Sequence, residues 1–71
     1  MFPALTCREV QVLELLAAGN RHAEVAARLG ITRHTVSTHA KNIYRKLGVN
    51  NALAAVNVAH ELRLLDRQRV R

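Results

Sequence analysis

One segment of the chain carries the strongest fold signal: residues 22–47 read HAEVAARLGITRHTVSTHAKNIYRKL. The spacing of its apolar residues predicts a helix over residues 22–29, which ends at Gly30. Thr32 has a side chain suited to cap a second helix over residues 33–47. Two helices joined by a short turn that contains glycine are typical of a helix-turn-helix unit.

The predicted helix over residues 33–47 has two opposite faces. Four apolar residues recur at helical spacing, about 100° per residue, and fall on one stripe: Val36, Ala40, Ile43 and Leu47. Four polar residues have the same spacing on the opposite side: His34, Thr38, Lys41 and Arg45. The first stripe suits a protein core. The second offers cations for phosphates and hydroxyls for base edges, and it contains no carboxylate.

Further helices are predicted on both sides of this unit. Thr6 and Glu9 have the spacing of a capping box and predict a first helix over residues 7–18. Asn51 can cap a fourth helix over residues 52–65. The sequence therefore predicts an all-α fold, a four-helix bundle that contains a helix-turn-helix.

The length of 71 residues allows a single domain over residues 1–71, with a core over 5–65 and a frayed charged tail over 66–71. The net charge of +6 suits a polyanionic partner, and the interval between Glu24 and Glu61 contains no acidic residue. One continuous segment of the chain is therefore electropositive.

Several functional classes are disfavoured by the composition. A single cysteine, Cys7, rules out an internal disulfide framework, and the histidines lack the spacing of a zinc site. No Ser, His and carboxylate arrangement suits catalysis, so we expect neither an enzyme nor a bound cofactor or metal. Apolar runs are too short to cross a membrane and the N-terminus lacks an export signal, so a cytoplasmic location is expected.

The chain resembles the LuxR-type (GerE-like) helix-turn-helix family of bacterial transcription regulators from Leu5 to Leu65. The stretches LTCREVQVLELLAAG, EVAARLGIT, TVSTHAKNIYRKLGV and AAV carry the resemblance, in the family's order and spacing. It implies a sequence-specific domain for double-stranded DNA, the effector part of a regulator such as a response regulator. Its third helix would enter the major groove, and its fourth would pair two domains as a homodimer on a two-fold site.

The resemblance also implies roles for individual residues. The family's base-reading positions fall on Ser37, Thr38 and Lys41, and its DNA-backbone positions fall on Thr35, Val36 and His39. Charge alone adds three candidate phosphate contacts: Arg33, Arg45 and Lys46. The candidate dimer surface on the fourth helix comprises Leu53, Ala54, Asn57, Val58 and Glu61. For His39, a partly buried position at the edge of the core competes with the phosphate contact.

The sequence departs from the family pattern in a few places. Ser37 stands where many members carry Lys or Arg, so one strong guanine-reading side chain is absent. Arg21 is a weak cap for the second helix, and Asn20 is an alternative cap. Ala52 and Ala54 replace the usual Arg and Glu at the start of the fourth helix.

Two other functions stay open on the sequence. One is the C-terminal domain of a sigma factor, which also reads DNA through a helix-turn-helix. The other is a protein-interaction domain that keeps this fold without binding DNA. RNA polymerase is an open protein partner for a transcription regulator, and the sequence does not identify the target site or the activating signal.

Overall fold

The computed structural model describes residues 5–63, so the tail expected to fray at 66–71 lies outside the described residues. Within that range the chain forms four helices and no strand. The helices are α1 (Cys7–Ala17), α2 (His22–Leu29), α3 (Arg33–Leu47) and α4 (Ala52–Glu61). The predicted all-α, four-helix fold is confirmed, and α2 and α3 have the predicted bounds.

The first helix begins at the predicted capping box. The Oγ1 atom of Thr6 accepts a hydrogen bond from the backbone N–H of Glu9 at 3.1 Å, and the N–H of Thr6 donates to Oε1 of Glu9 at 2.9 Å. These bonds satisfy two N–H groups that have no partner within the helix. At its other end, α1 stops at Ala17, one residue before the predicted end.

Asn20, the alternative cap for the second helix, is not the residue that caps α2. Arg21 is the N-cap, and its backbone N–H donates to Oε1 of Glu24 at 2.7 Å. Asn20 bonds to other elements: its Nδ2 donates to the Leu15 carbonyl at 2.9 Å, and its Oδ1 accepts from Nε of Arg28 at 3.1 Å. Asn20 therefore caps the end of α1 and ties α2 to it.

The turn between α2 and α3 has the predicted chemistry. Gly30 has φ 69°, in the left-handed region that favours glycine. The next N–H, that of Ile31, donates to the Ala26 carbonyl at 3.0 Å and closes the end of α2. Thr32 then accepts the N–H of Thr35 at 3.0 Å and begins α3. This turn fixes the direction in which α3 leaves α2.

The fourth helix is shorter than the predicted 52–65. Asn51 caps it as predicted, with Oδ1 accepting the N–H of Ala54 at 2.8 Å. The helix nevertheless ends at Glu61, because Arg63 has φ 61° and its N–H donates to the carbonyl of His60, three residues earlier. A left-handed residue cannot continue a right-handed helix.

The core lies where the four helices meet, and α3 contacts each of the other three. Its buried apolar side chains are Val12, Leu13, Val25, Ala26, Val36, Ala40, Ile43, Ala55 and Ala59. Leu47, from the predicted apolar stripe of α3, is half-buried and packs against this cluster. One whole side of α3 is therefore committed to the core, and the opposite side is left at the surface.

Candidate nucleic-acid interface

The surface side of α3 is the polar stripe that the helical spacing predicts. His34, Thr38, Lys41 and Arg45 are all exposed. On the opposite side Val36, Ala40 and Ile43 have at most 1% of their surface exposed. His34 and Arg45, the two ends of the stripe, are eleven residues apart on one helix, so the stripe is about 17 Å long at 1.5 Å per residue. A helix with its side chains is about 10–12 Å across, which fits the major groove, about 12 Å wide.

Three cations project from α3 without a counter-charge. Arg33, Lys41 and Arg45 are exposed, and within residues 5–63 no carboxylate pairs with any of them. Side chains in the terminal turns of α3 do not neutralise these cations, because the first turn contains no acidic residue and the last turn is basic. The electrostatic field on this side is positive and is available to a polyanion.

Three residues with hydroxyl groups, Thr35, Ser37 and Thr38, lie between Arg33 and Lys41, and two of these hydroxyls already have hydrogen-bond partners. Oγ1 of Thr38 lies 3.2 Å from the His34 carbonyl and donates to it. Oγ1 of Thr35 lies 2.9 Å from Oγ1 of Thr32. The hydroxyl proton of Thr38 is therefore directed to His34, although the residue is exposed, and Ser37 is half-buried on the flank of the stripe.

One candidate contact is corrected by the structure. The side chain of Val36 has no exposed surface, and its backbone N–H donates to the Thr32 carbonyl at 3.0 Å. Val36 is on the same face as Ile43 and belongs to the core, so neither its side chain nor its N–H is available to DNA. The expected phosphate contact fails because this position on the helix faces inward. Thr35 and His39, both half-buried, lie at the edge between the core and the surface.

A second candidate contact, Lys46, lies in an ion pair. Its Nζ is 2.7 Å from Oε1 of Glu9, whose side chain is only 5% exposed. Burial acts to raise the pKa of Glu9, and this is the largest single effect. Together, the hydrogen bonds from Lys46 and from Thr6 and the Lys46 charge reverse it, so the pKa of Glu9 is lowered. The sequence contained no signal for this pair, which joins residues 37 positions apart.

The candidate dimer surface lies on α4. Leu53 is 72% exposed, and among the described residues it is the only large hydrophobic side chain that is exposed rather than half-buried or buried. Asn57 and Glu61 follow at intervals of four and are exposed, and Ala54 and Val58 beside them are half-buried. These five residues form one side of α4, facing away from the core residues Ala55 and Ala59.

Between residues 5 and 63, no three His, Cys, Asp or Glu side chains are grouped so that they could hold a metal ion. No helix in that range has the length and apolar character needed to cross a membrane.

Comparison with known proteins settles the family. The GerE model, described as bacterial regulatory proteins of the luxR family, matches residues 3–59, most of the chain. The chain belongs to the luxR family. It is thus a helix-turn-helix domain of the type found in bacterial regulatory proteins, a DNA-binding rather than an enzymatic family, and the sigma-factor alternative is set aside.

Individual relatives of this luxR-family domain agree. The probable transcriptional regulatory protein SgaR of Hyphomicrobium methylovorum is 51% identical over 53 residues, which cover 75% of this chain and 25% of that protein. The probable transcriptional regulatory protein NarL of Mycobacterium tuberculosis is 44% identical over 64 residues, which cover 90% of this chain and 30% of that protein. The chain thus spans only 25–30% of the length of these curated relatives.

Two solved structures share the fold of the luxR-family domain. The response regulator ChrA, from a heme-sensing two-component system, superposes with a TM-score of 0.85 at 44% identity, covering 87% of this chain and 31% of that one. The transcription factor GerE superposes with a TM-score of 0.80 at 28% identity, covering 87% of this chain and 94% of that one. The second coverage shows that this fold accounts for nearly all of the GerE structure.

Proposed function

We propose that the domain binds double-stranded DNA in a sequence-specific manner, with α3 lying in the major groove. One observation carries the proposal: α3 exposes an unbroken stripe of cations and hydroxyls, with no carboxylate, directly opposite the side that packs into the core. A helix held in this way presents its outer side chains on a rigid support. Family membership supports the same function, since the curated relatives are named transcriptional regulatory proteins.

Bases are read, in this proposal, by Ser37, Thr38 and Lys41. The Lys41 ammonium suits the acceptor atoms of guanine, N7 and O6, in the major groove. Thr38 can contact a thymine methyl group or accept from an exocyclic amine, because its hydroxyl proton is directed to the His34 carbonyl. Ser37 is short and half-buried, so it reaches a base edge only where α3 lies deep in the groove.

The phosphate backbone is contacted by residues on the margins of this stripe. Arg33 and Arg45 carry exposed guanidinium groups at the two ends of α3. Thr35 and His39 lie on the flank of the stripe and can donate to phosphate oxygens. Such contacts fix the register of the helix on the duplex and carry most of the salt dependence of binding.

A homodimer on a two-fold DNA site forms part of the proposal. The side of α4 that carries Leu53 supports it, because a large exposed apolar residue next to smaller half-buried ones suits a self-complementary contact. RNA polymerase is the proposed protein partner in transcription. The cytoplasm is the proposed location, since bacterial DNA is found there.

The test begins with in vitro selection of bound duplexes, followed by titration of the selected duplex at several salt concentrations. We expect log affinity to fall linearly with log salt, by about 0.9 for each phosphate neutralised. Lys41→Ala should cost about 1–3 kcal/mol and relax the base preference at one position. Arg8→Ala is the matched control, because Arg8 is an exposed cation on α1 rather than on α3.

Three outcomes would change the proposal. Absence of salt-sensitive binding to any duplex refutes it and leaves the protein-interaction function. An equal loss of affinity for all sequences in Lys41→Ala makes Lys41 a phosphate contact. A selected site without two-fold symmetry, bound by one domain, refutes the dimer.

A further inference from the structure

We propose that Lys46 and Glu9 act as a positioning pair, which holds the C-terminal turn of α3 against the first turn of α1, and that Lys46 does not contact phosphate. This inference rests on the proposed DNA-binding function. In this role Lys46 helps to hold α3 in place, instead of making the phosphate contact that its charge suggests. The pair joins the helix that reads DNA to a part of the chain far from it in sequence.

Helical geometry separates Lys46 from its cationic neighbour. Consecutive residues on a helix are turned by about 100°, so Arg45 and Lys46 point in different directions although both are basic. Arg45 continues the exposed stripe of His34, Thr38 and Lys41. Lys46 is turned toward α1, its side chain is 30% exposed, and its Nζ lies 2.7 Å from Oε1 of Glu9.

Glu9 is held firmly on the other side of the pair. The same Oε1 atom also accepts the backbone N–H of Thr6 at 2.9 Å, and the N–H of Glu9 donates back to Oγ1 of Thr6 at 3.1 Å. Its carboxylate therefore has a fixed position at the start of α1. A long, flexible lysine that reaches a fixed, buried partner loses its own freedom and transmits that position to α3.

Moving Lys46 to a phosphate would leave the Glu9 carboxylate without its counter-charge. The Glu9 side chain is only 5% exposed, and a buried charge that loses its partner is strongly destabilising. The lowered pKa of Glu9 shows that the folded protein favours the paired, ionised form. A phosphate contact by Lys46 would thus compete with an interaction already made in the free domain, whereas Arg33, Lys41 and Arg45 have no such competitor among residues 5–63.

The pair complements the turn at the opposite end of α3. Thr32 caps the first turn, next to the link with α2, whereas Lys46 holds the last turn to α1. The proposed base-reading residues lie between these two points. A change in the tilt of α3 would displace all of them together, without altering any DNA contact chemically.

The experiment compares Lys46→Met with Arg45→Met, which removes the same charge one position earlier. Affinity for the selected duplex is measured against salt concentration and corrected for the folded fraction, obtained from urea unfolding of the same samples. We expect Lys46→Met to lower affinity per folded molecule about two- to thirtyfold, the range that substitutions outside a binding site produce, with an unchanged salt slope. Arg45→Met should reduce the slope by about 0.9, the value for one lost phosphate contact. Lys46→Arg should restore the affinity, because a guanidinium can also pair with Glu9.

Glu9→Gln gives a second measurement if Lys46→Met fails to fold. Glutamine keeps an oxygen for the Thr6 N–H but removes the charge that holds Lys46, so affinity per folded molecule should fall while the slope does not decrease. A slope reduced by about 0.9 in Lys46→Met identifies a phosphate contact and overturns the inference. Unchanged affinity per folded molecule in both variants also overturns it. Failure of the wild-type domain to bind any duplex refutes the proposed function instead.

Discussion

Replacing Ile43 tests whether the buried side of α3 controls stability separately from the side that we propose binds DNA. Ile43 has no exposed surface and lies on the side of α3 opposite Lys41 and Arg45. Ile43→Val removes one buried methylene and should cost about 0.5–1.5 kcal/mol, while Ile43→Ala should cost about 2–5 kcal/mol. A 71-residue domain is stable by about 4–11 kcal/mol, so the alanine variant approaches or exceeds the lower limit of that range.

Thermal unfolding and DNA titration of the same samples provide the measurement. For a domain of this size each 1 kcal/mol lowers Tm by about 4–8 °C, so Ile43→Val should shift Tm by several degrees. Its affinity per folded molecule and its salt slope should equal those of the wild type. Lys41→Ala is the matched control and should do the reverse, with stability within about 0.5 kcal/mol of the wild type and DNA affinity reduced. An unchanged Tm in Ile43→Val, or a comparable loss of stability in Lys41→Ala, would refute the separation of the two sides.

Three further predictions concern the ends of the helices. Gly30→Ala meets no steric obstacle within 4 Å but must keep φ 69°, so urea unfolding should show a loss of about 1–2 kcal/mol; equal stability would show that the turn can relax. Asn51→Ala removes the cap of α4 and should cost about 0.5–2 kcal/mol in the same assay, with no loss if water replaces the cap. Because the pKa of Glu9 is lowered on folding, the ionised carboxylate stabilises the folded state fully above the ordinary pKa of 4.5. This stabilisation is lost as the pH falls through the lower pKa of the folded state. Below pH 4.5, the free energy of unfolding should therefore fall less steeply with decreasing pH in Glu9→Gln than in the wild type. Identical pH dependence in the two proteins would contradict this.

Local signals predicted most of the fold. Thr6, Thr32 and Asn51 begin their helices with the expected side-chain caps, since capping depends only on residues within one turn. Gly30 ends α2 for an equally local reason, its freedom to adopt positive φ. The end of α4 could not be predicted in this way, because Arg63 adopts positive φ without being a glycine.

The candidate site was predicted less completely than the fold. Helical periodicity was sufficient to predict that Lys41 and Arg45 are exposed, because exposure on a packed helix follows from angular position. Their contacts with DNA stay a prediction. The same periodicity placed Val36 in the core, while the family resemblance made it a DNA contact, and the structure supports the periodicity. Lys46 was assigned by charge, and charge counting cannot detect a buried partner 37 residues away.

Packing of α3 into the other helices explains how one short helix can be held rigidly while one of its sides stays exposed. An isolated helix of 15 residues is only marginally stable in water, so its shape depends on the contacts that Val36, Ala40 and Ile43 make with the core. Substitutions on the outer stripe leave those contacts intact, so the proposed base-reading residues can change at little cost in stability. Ser37 is the exception, because it is half-buried at the boundary. A longer side chain at that position must extend along the surface of α3 before it reaches a base. The choice of residue at position 37 is therefore limited both by packing and by the proposed contact with a base.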